Sequence, residues 1–223
     1  MERRFEKELD DLKANLTRMG RLVDGQIDLA CHALFYADVD LAHQVLNNDG
    51  SVNELDTLID KQCQEILALS QPVAVDLRLL MAALKINNNL ERIGDIAVNI
   101  AERVAPLSAF HAFLKSTRLA EMVQIARIMV NDSIDSFIGN NPRLANLVLE
   151  SDDVVDSLDA AIFRQMVREM QRDHSLIEPA SHILVLSRHI ERLADHATNI
   201  AEDVIFLVEA KIVKHNAFEE HES

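Results

Sequence analysis

A stretch of fourteen residues occurs twice in the chain, and this repetition limits the folds that the chain can adopt. The two copies are ERIGDIAVNIAERV at 91–104 and ERLADHATNIAEDV at 191–204, and they are identical at nine of the fourteen positions. The similarity continues upstream, where Leu55-Asp56 matches Leu158-Asp159. A repeat at a fixed offset indicates a duplicated structural unit. The chain is therefore predicted to consist of two similar halves of about 100 residues each.

Apolar residues recur every three or four positions along most of the chain, which is typical of amphipathic helices. The 223 residues include only five glycines and four prolines, so long helices meet few interruptions. The expected fold class is all-α, with two tandem three-helix bundles related by the internal repeat. The six predicted helices are 2–36, one from Asp38 to Gln71, one opened by Pro72, 119–138, one from Pro142 to about 172 and one opened by Pro179.

The apolar periodicity is interrupted at Pro106 to Thr117, which we therefore interpret as the boundary between the halves. The phenylalanines and leucine of this segment suggest that it packs against the bundles. The predicted division is a first three-helix bundle at 1–106, a connecting segment at 107–117, a second three-helix bundle at 118–216 and an acidic tail at 217–223.

The charge balance restricts the kinds of partner. The net charge is −15, and Lys and Arg form no cluster, so the sequence predicts neither nucleic-acid binding nor direct membrane insertion. The excess of negative charge favours the binding of cations or of basic protein partners. No run of about 18 apolar residues and no apolar run after the N-terminal arginines is present, so we expect a cytoplasmic protein. Cys31 and Cys63 are expected to be buried and reduced.

Each copy of the repeated stretch carries acidic residues on one helix face. Glu91 and Asp95 in the first copy, and Glu191 and Asp195 in the second, are four residues apart. Like charges at this spacing weaken a helix by roughly 0.2–0.5 kcal/mol, so their recurrence in both halves suggests that a cation offsets the repulsion. Oxygen ligands suit hard ions such as magnesium, manganese and iron. We predict a metal site in each half.

Further acids on the preceding helices could complete these sites. Asp152 and Asp156 share a helix face in the second half, and Asp49 is the residue that corresponds to Asp152 in the first half. Asn53 takes the place that Asp156 has in the second half, so the first site has one carboxylate fewer. The second-half site is therefore expected to bind metal more tightly.

Other interpretations of the acidic faces remain open. The acids could form a solvated face, or pair with the neighbouring Arg92 and Arg192 in salt bridges. His196 is interpreted as an interface or core-edge histidine and not as a ligand. The chain has no HExxH or Glu-x-x-His pattern, no phosphate-binding glycine loop and no nucleophile elbow. We predict no catalytic residue, and a helical-bundle enzyme with a di-metal carboxylate site is the alternative.

ERIGDIAVNIAE and ERLADHATNIAE, with QPVAVDLRLL ahead of the first, resemble the PhoU family of phosphate-transport accessory proteins over nearly the whole chain. The departures include Ala194, where a glycine is usual. The resemblance implies a cytoplasmic, often homodimeric negative regulator of phosphate uptake and of the phosphate-starvation (Pho regulon) response. It also implies that the acids bind iron, zinc, manganese or magnesium. The implied partners are the ATPase subunit of the phosphate ABC transporter and a phosphate-sensing histidine kinase.

Overall fold

The structure is a computed structural model that describes residues 2–48, 50–211 and 213. Its described residues form α-helices joined by short turns, and none of them lies in a β-strand, so the predicted all-α class is confirmed. The helices are α1 (Glu2–Tyr36), α2 (Val39–Asn48), α3 (Gly50–Ser70), α4 (Val75–Glu102), α5 (Val104–Leu107), α6 (His111–Lys115), α7 (Leu119–Ile138), α8 (Pro142–Arg172) and α9 (Ile177–Glu209).

The apolar faces of the two repeated stretches form the centre of the bundles, as predicted. In α4, Leu90, Ile93 and Ile100 are almost fully buried, and in α9 the equivalent Ile190 and Leu193 are fully buried. Helix α4 packs against α1 and α3, and α9 packs against α7 and α8. Each repeated stretch therefore supplies the third helix of a bundle, and Glu91, Asp95, Glu191 and Asp195 lie outside its set of buried residues.

The second predicted helix corresponds to α2, which the described residues follow as far as Asn48, and to α3, which they follow from Gly50 onwards. The predicted N-cap is present, because the Leu41 backbone N–H donates to Asp38 Oδ1 at 2.9 Å. Asp49, a predicted metal ligand, lies outside the described residues.

The prediction that Pro72 opens the third helix is wrong. Helix α4 begins at Val75, and both Gln71 and Ala74 have positive φ angles, of 46° and 45°. These angles take the chain out of the helical region on both sides of Pro72, so the turn ends after the proline. In the second half, Pro142 is the first residue of α8 as predicted, and its N-cap Asn141 accepts from two backbone N–H groups. Pro179, the counterpart of Pro72, does not open its helix either, because α9 begins at Ile177.

The segment predicted to connect the halves is itself largely helical. It contains α5, a 3₁₀ turn at Ser108–Phe110 and α6. Leu107 and Leu114 are buried and Phe113 packs against the core, so this segment is attached to the bundles by apolar contacts.

The two halves meet mainly where α4 and α9 pack side by side, with a smaller contact between α1 and α7. Residues early in α4 face residues late in α9, so these helices run antiparallel. Three polar pairs join them: Lys85 Nζ with Asp203 Oδ1 at 2.8 Å, Asn89 Oδ1 with His196 Nδ1 at 2.9 Å, and Arg103 Nη1 with His182 Nδ1 at 3.3 Å. In the part of the chain that the structure describes, no helix has the length and apolar character needed to cross a lipid bilayer.

Candidate functional site

Glu91 and Asp95 form the first acid row, on α4. The Glu91 side chain is largely buried, at 22% exposed, whereas that of Asp95 is 44% exposed. Arg92 lies between them, with Nε 3.4 Å from Glu91 Oε2 and Nη1 3.5 Å from Asp95 Oδ2. The predicted salt bridges to Arg92 are therefore present. Because the arginine side chain is half exposed and both distances are long, each pair stabilises the helix only weakly, by roughly 0.2–1 kcal/mol.

Glu191 and Asp195 form the second acid row, on α9. Here the arginine that pairs with the glutamate is Arg188, whose Nη1 donates to Glu191 Oε1 at 2.8 Å. The pairing of Arg192 with the acids of this row stays a prediction. Arg188 lies one turn before Glu191, so it reaches the carboxylate along the helix, whereas the first half has Asn88 at the equivalent place.

Glu191 has the chemistry expected of a cation ligand. Its Oε2 atom is buried and accepts no hydrogen bond. Burial is the main cause that raises the pKa of Glu191 to about 7, the charge of Asp195 adds to the rise, and Arg188 opposes it. A carboxyl oxygen that is buried without a donor is an expensive arrangement in an apoprotein. A metal ion placed against this atom would remove that penalty.

The acids predicted on α8 face this second row. Asp156 and Asp159 both contribute to the raised pKa of Glu191, so they lie within electrostatic range of it. Asp152, one turn before Asp156, is buried. Asp159 was not predicted as a site residue, although its place in the repeat and its spacing of three residues from Asp156 put it on the same helix face.

The first acid row has a corresponding pair of facing acids on α3. Asn87, which is 1% exposed, donates through Nδ2 to Asp56 Oδ1 at 2.8 Å and to Asp60 Oδ1 at 3.1 Å. Burial, followed by the charge of Asp60, raises the pKa of Asp56, while Arg92 opposes the rise. Arg92 therefore interacts with Asp56 as well as with the first acid row.

The carboxylates do not close around an ion in the arrangement described. Within residues 2–48, 50–211 and 213, no group of three or more His, Cys, Asp or Glu side chains is arranged to hold a metal. The donor set nevertheless fits a hard cation, because it consists of carboxylates and includes the unpaired, buried Oε2 of Glu191. Binding would require the acid rows to turn towards the facing helix and to exchange Arg92 and Arg188 for the ion.

His196 lies at the interface between the halves, as predicted. Its Nδ1 is 2.9 Å from Asn89 Oδ1, and because Nδ1 faces an acceptor it is the nitrogen that carries the proton. Burial lowers the pKa of His196 to about 4, and the charges of Arg192 and Arg92 lower it further. The imidazole is thus neutral near pH 7 and helps to join α4 to α9.

The family model described as "PhoU domain" matches the chain twice, at residues 16–104 and 119–204. The chain belongs to the PhoU family. The predicted family and the tandem bundle architecture are therefore both confirmed. Each matched segment contains one acid row, so the two rows occupy corresponding places in two copies of the family's domain.

Relatives and solved structures agree with this assignment. The chain is 40% identical over 214 residues to the "Phosphate-specific transport system accessory protein PhoU homolog" of Aquifex aeolicus, covering 96% of this chain and 97% of the relative. The homolog of the same description from Pseudomonas aeruginosa is 37% identical, with 95% and 88% covered. The crystal structure of PhoU from Pseudomonas aeruginosa matches with a TM-score of 0.88 and 35% identity, covering 93% of this chain and all of that one. The phosphate transport system regulatory protein PhoU from Streptococcus pneumoniae matches with a TM-score of 0.84 and 26% identity, with 94% and 99% covered.

Proposed function

We propose that this PhoU family member is a non-enzymatic accessory protein of phosphate transport that restrains phosphate uptake and the phosphate-starvation response when phosphate is plentiful. The observation that carries the proposal is the repeated acid row, at corresponding places in two PhoU segments, within a chain that is similar over nearly its whole length to phosphate-transport accessory proteins. Those names describe accessory proteins and not enzymes, which favours this role over the di-metal enzyme alternative.

The acid rows give the proposal its chemistry. We expect Glu91, Asp95, Glu191 and Asp195, with the facing acids of α3 and α8, to bind iron, manganese, zinc or magnesium. An ion would neutralise carboxylates that otherwise repel one another, and it would draw α4 towards α3 and α9 towards α8. Surfaces of the metal-loaded bundles would then contact the ATPase subunit of the phosphate ABC transporter and the phosphate-sensing histidine kinase, from the cytoplasmic side and as a homodimer.

A deletion strain with a phosphate-starvation reporter tests the regulatory part. The expected result is an active reporter in high phosphate, which the unmodified gene silences. A gene carrying Glu91→Gln, Asp95→Asn, Glu191→Gln and Asp195→Asn should fail to silence it. Glu65→Gln is the matched control, because Glu65 is exposed and pairs only loosely with Lys61 at 3.8 Å. A reporter that stays silent in the deletion strain would contradict the proposal.

Elemental analysis and titration of purified protein test the metal part. Protein stripped with a chelator is titrated with Fe²⁺, Mn²⁺, Zn²⁺ and Mg²⁺, and stoichiometry is compared between the unmodified protein and variants of one acid row at a time. We expect binding to be lost in the altered half only. If none of the four ions binds, the metal part is wrong even if regulation is normal.

Partners are tested by cross-linking in phosphate-replete cells, followed by binding of the purified ATPase subunit and of the kinase's cytoplasmic part. Light scattering of the purified chain gives the mass in solution, which should be that of a dimer. Association with neither purified partner, in the presence of the ion that the titration identifies, would refute the adaptor role.

A further inference from the structure

A cavity of about 410 Å³ lies between α1 and α7, at the smaller contact between the two halves. Its lining residues on α1 recur every three or four positions from Asp28 to Tyr36, and those on α7 recur in the same way from Ala120 to Asn131. This spacing places each set on one face of its helix. The volume falls within the range of about 300–1,000 Å³ that is typical of small-molecule sites. None of the four residues of the acid rows lines this cavity.

Arg127 gives the α7 wall of the cavity a positive charge. Its Nη2 donates to Asp28 Oδ1 at 2.7 Å, and this pair crosses from α7 to α1 and holds the guanidinium in place. A guanidinium has five N–H donors, and Arg127 Nε is buried without an acceptor among the described residues. The arginine side chain remains 31% exposed. Arg127 therefore has donors left for a carboxylate or a phosphate, the groups whose shape a guanidinium matches.

Aromatic side chains contribute to the α1 wall of the cavity. The rings of His32 and Tyr36 are stacked, with centroids 4.3 Å apart and planes 23° from parallel. Tyr36 is nevertheless 67% exposed, so much of its surface is left for another group. The exposed Lys115 lies with Nζ 5.6 Å from the Tyr36 ring centroid and adds a second cation beside the cavity. A planar ring that carries a negative charge would use both walls.

The counterparts of the cavity residues in the repeat lack this chemistry. In the alignment of the two PhoU segments, which begin at residues 16 and 119, the residues that correspond to His32, Tyr36, Asp28 and Arg127 are, respectively, Asp135, Gly139, Asn131 and Asp24. These counterparts supply neither a cation nor an aromatic ring. The two helices still pack closely in that region, because a Cβ added to Gly20 of α1 would lie 2.9 Å from Ile134 of α7. The aromatic and cationic residues of the cavity are therefore not needed to hold α1 against α7.

We propose that this cavity binds a small anion that carries a planar ring, of the class of the nucleoside monophosphates. The ring would pack against His32 and Tyr36, and the phosphate would accept from Arg127 and Lys115. The inference goes beyond the proposed function and does not depend on metal binding. Because α1 belongs to the first half and α7 to the second, the bound molecule would contact both halves.

Equilibrium dialysis of the full-length chain against AMP tests the site, with a chelator present so that no metal ion links the phosphate to the acid rows. Adenosine has the ring without the phosphate, and ribose 5-phosphate has the phosphate without the ring. We expect AMP to bind, and each of the two fragments to bind at least about 10-fold more weakly. The chain has one tyrosine and no tryptophan, so AMP should also quench the tyrosine fluorescence, which comes from this cavity alone.

Substitutions on each wall show which side chains hold the ligand. Tyr36→Ala should raise the AMP dissociation constant roughly 5- to 100-fold, as the loss of base stacking does. Arg127→Met should raise it roughly 10- to 100-fold, because a charge-assisted hydrogen bond is lost. Tyr36→Phe, which keeps the ring, should bind AMP as the unmodified protein does.

Phe163→Ala and Arg172→Met are the matched controls, because both residues are exposed, lie on α8 and do not line the cavity. Thermal unfolding gives the folded fraction of each variant, and affinities are compared at equal folded fraction, since Arg127→Met also removes the pair with Asp28. The inference is overturned if AMP does not bind, or if Tyr36→Ala and Arg127→Met bind AMP as tightly as the controls. It is also overturned if ribose 5-phosphate binds as tightly as AMP, because the ring would then contribute nothing.

Discussion

Lys85 and Asp203 form an ion pair that ties α4 of the first half to α9 of the second, and its removal should weaken the whole molecule measurably. Lys85 Nζ donates to Asp203 Oδ1 at 2.8 Å. The lysine side chain is 59% exposed, whereas that of the aspartate is only 9% exposed. The repeat offers no substitute, since the equivalent residues are Val185 and Arg103.

The change we consider is Lys85→Met, which keeps the apolar stem and removes the ammonium group. An exposed ion pair contributes roughly 0.2–1 kcal/mol, but a hydrogen bond to a buried charge contributes roughly 1.5–3 kcal/mol. Because the aspartate would be left buried without its partner, the larger range applies. We expect a loss of about 2 kcal/mol in the free energy of unfolding at pH 7.5, or roughly 4–8 °C in Tm for a chain of this length.

The loss should depend on pH in a defined direction. Burial raises the pKa of Asp203 even with Lys85 present. A carboxyl whose pKa is higher in the folded state than in the unfolded chain stabilises the protein most when protonated, and this stabilisation is lost as the pH rises through the folded pKa. Removal of Lys85 raises that pKa further. The penalty of Lys85→Met should therefore be smaller at pH 5 than at pH 8.

Urea unfolding at both pH values, followed by circular dichroism, measures these quantities. Lys61→Met is the control, because Lys61 and Glu65 are both exposed and 3.8 Å apart, and its effect should stay below about 0.5 kcal/mol. The double variant Lys85→Met with Asp203→Asn should recover part of the loss, since the unpaired charge is gone. Equal effects of the two lysine variants, or a double variant less stable than Lys85→Met, would refute the reasoning.

Three further outcomes follow from individual residues. Gly25→Ala should raise the free energy of unfolding by about 0.5–1 kcal/mol, because the added Cβ meets nothing within 4 Å. Gly20→Ala should lower the free energy of unfolding, because the added Cβ would lie 2.9 Å from a methyl group of Ile134. Glu191→Gln should stabilise the metal-free protein at pH 8 by on the order of 2 kcal/mol and have little effect at pH 5. The reason is that the Glu191 carboxyl, whose pKa is raised to about 7, destabilises the folded state only when it is ionised. Equal effects of the substitution on urea unfolding at both pH values would contradict this. Cys31 and Cys63, buried with pKa values raised to about 12, should react with a thiol reagent at pH 8 only on unfolding, and rapid reaction of the native chain would show exposure.

The helices and their buried faces could be predicted because both depend on periodicity within a single segment. The apolar residues of the repeated stretches are at the centre of the bundles as their spacing required. The start of α4 could not be found in this way. A proline is compatible with a first helical turn, and only the positive φ values of Gln71 and Ala74 place Pro72 in the turn before it.

The candidate site was predicted in part, for a related reason. The spacing of Glu191 and Asp195 fixes their shared face, but the residue opposite them depends on how α8 and α9 are aligned, which no pattern within one helix determines. For this reason, the sequence did not predict Asp159 as a site residue. Arg188, which donates to Glu191, was not predicted either, since no pattern singled out the residue three positions before the glutamate.

The two halves contribute different residues where they touch each other, and this bears on how the acid rows are coupled. A duplicated unit faces its copy through surfaces that need not be alike, so α4 contributes Lys85 and Asn89 where α9 contributes Asp203 and His196. The acid rows lie on these same two helices. Any movement of α4 that brings the first acid row into contact with an ion therefore also moves Lys85 and Asn89, which contact α9. Metal binding in one half should thus change binding in the other, and this coupling should weaken in Lys85→Met, where one of the connecting pairs is gone. Titration of one half, with the other either loaded or silenced, measures the coupling, and identical affinities in both states would show that the halves act independently.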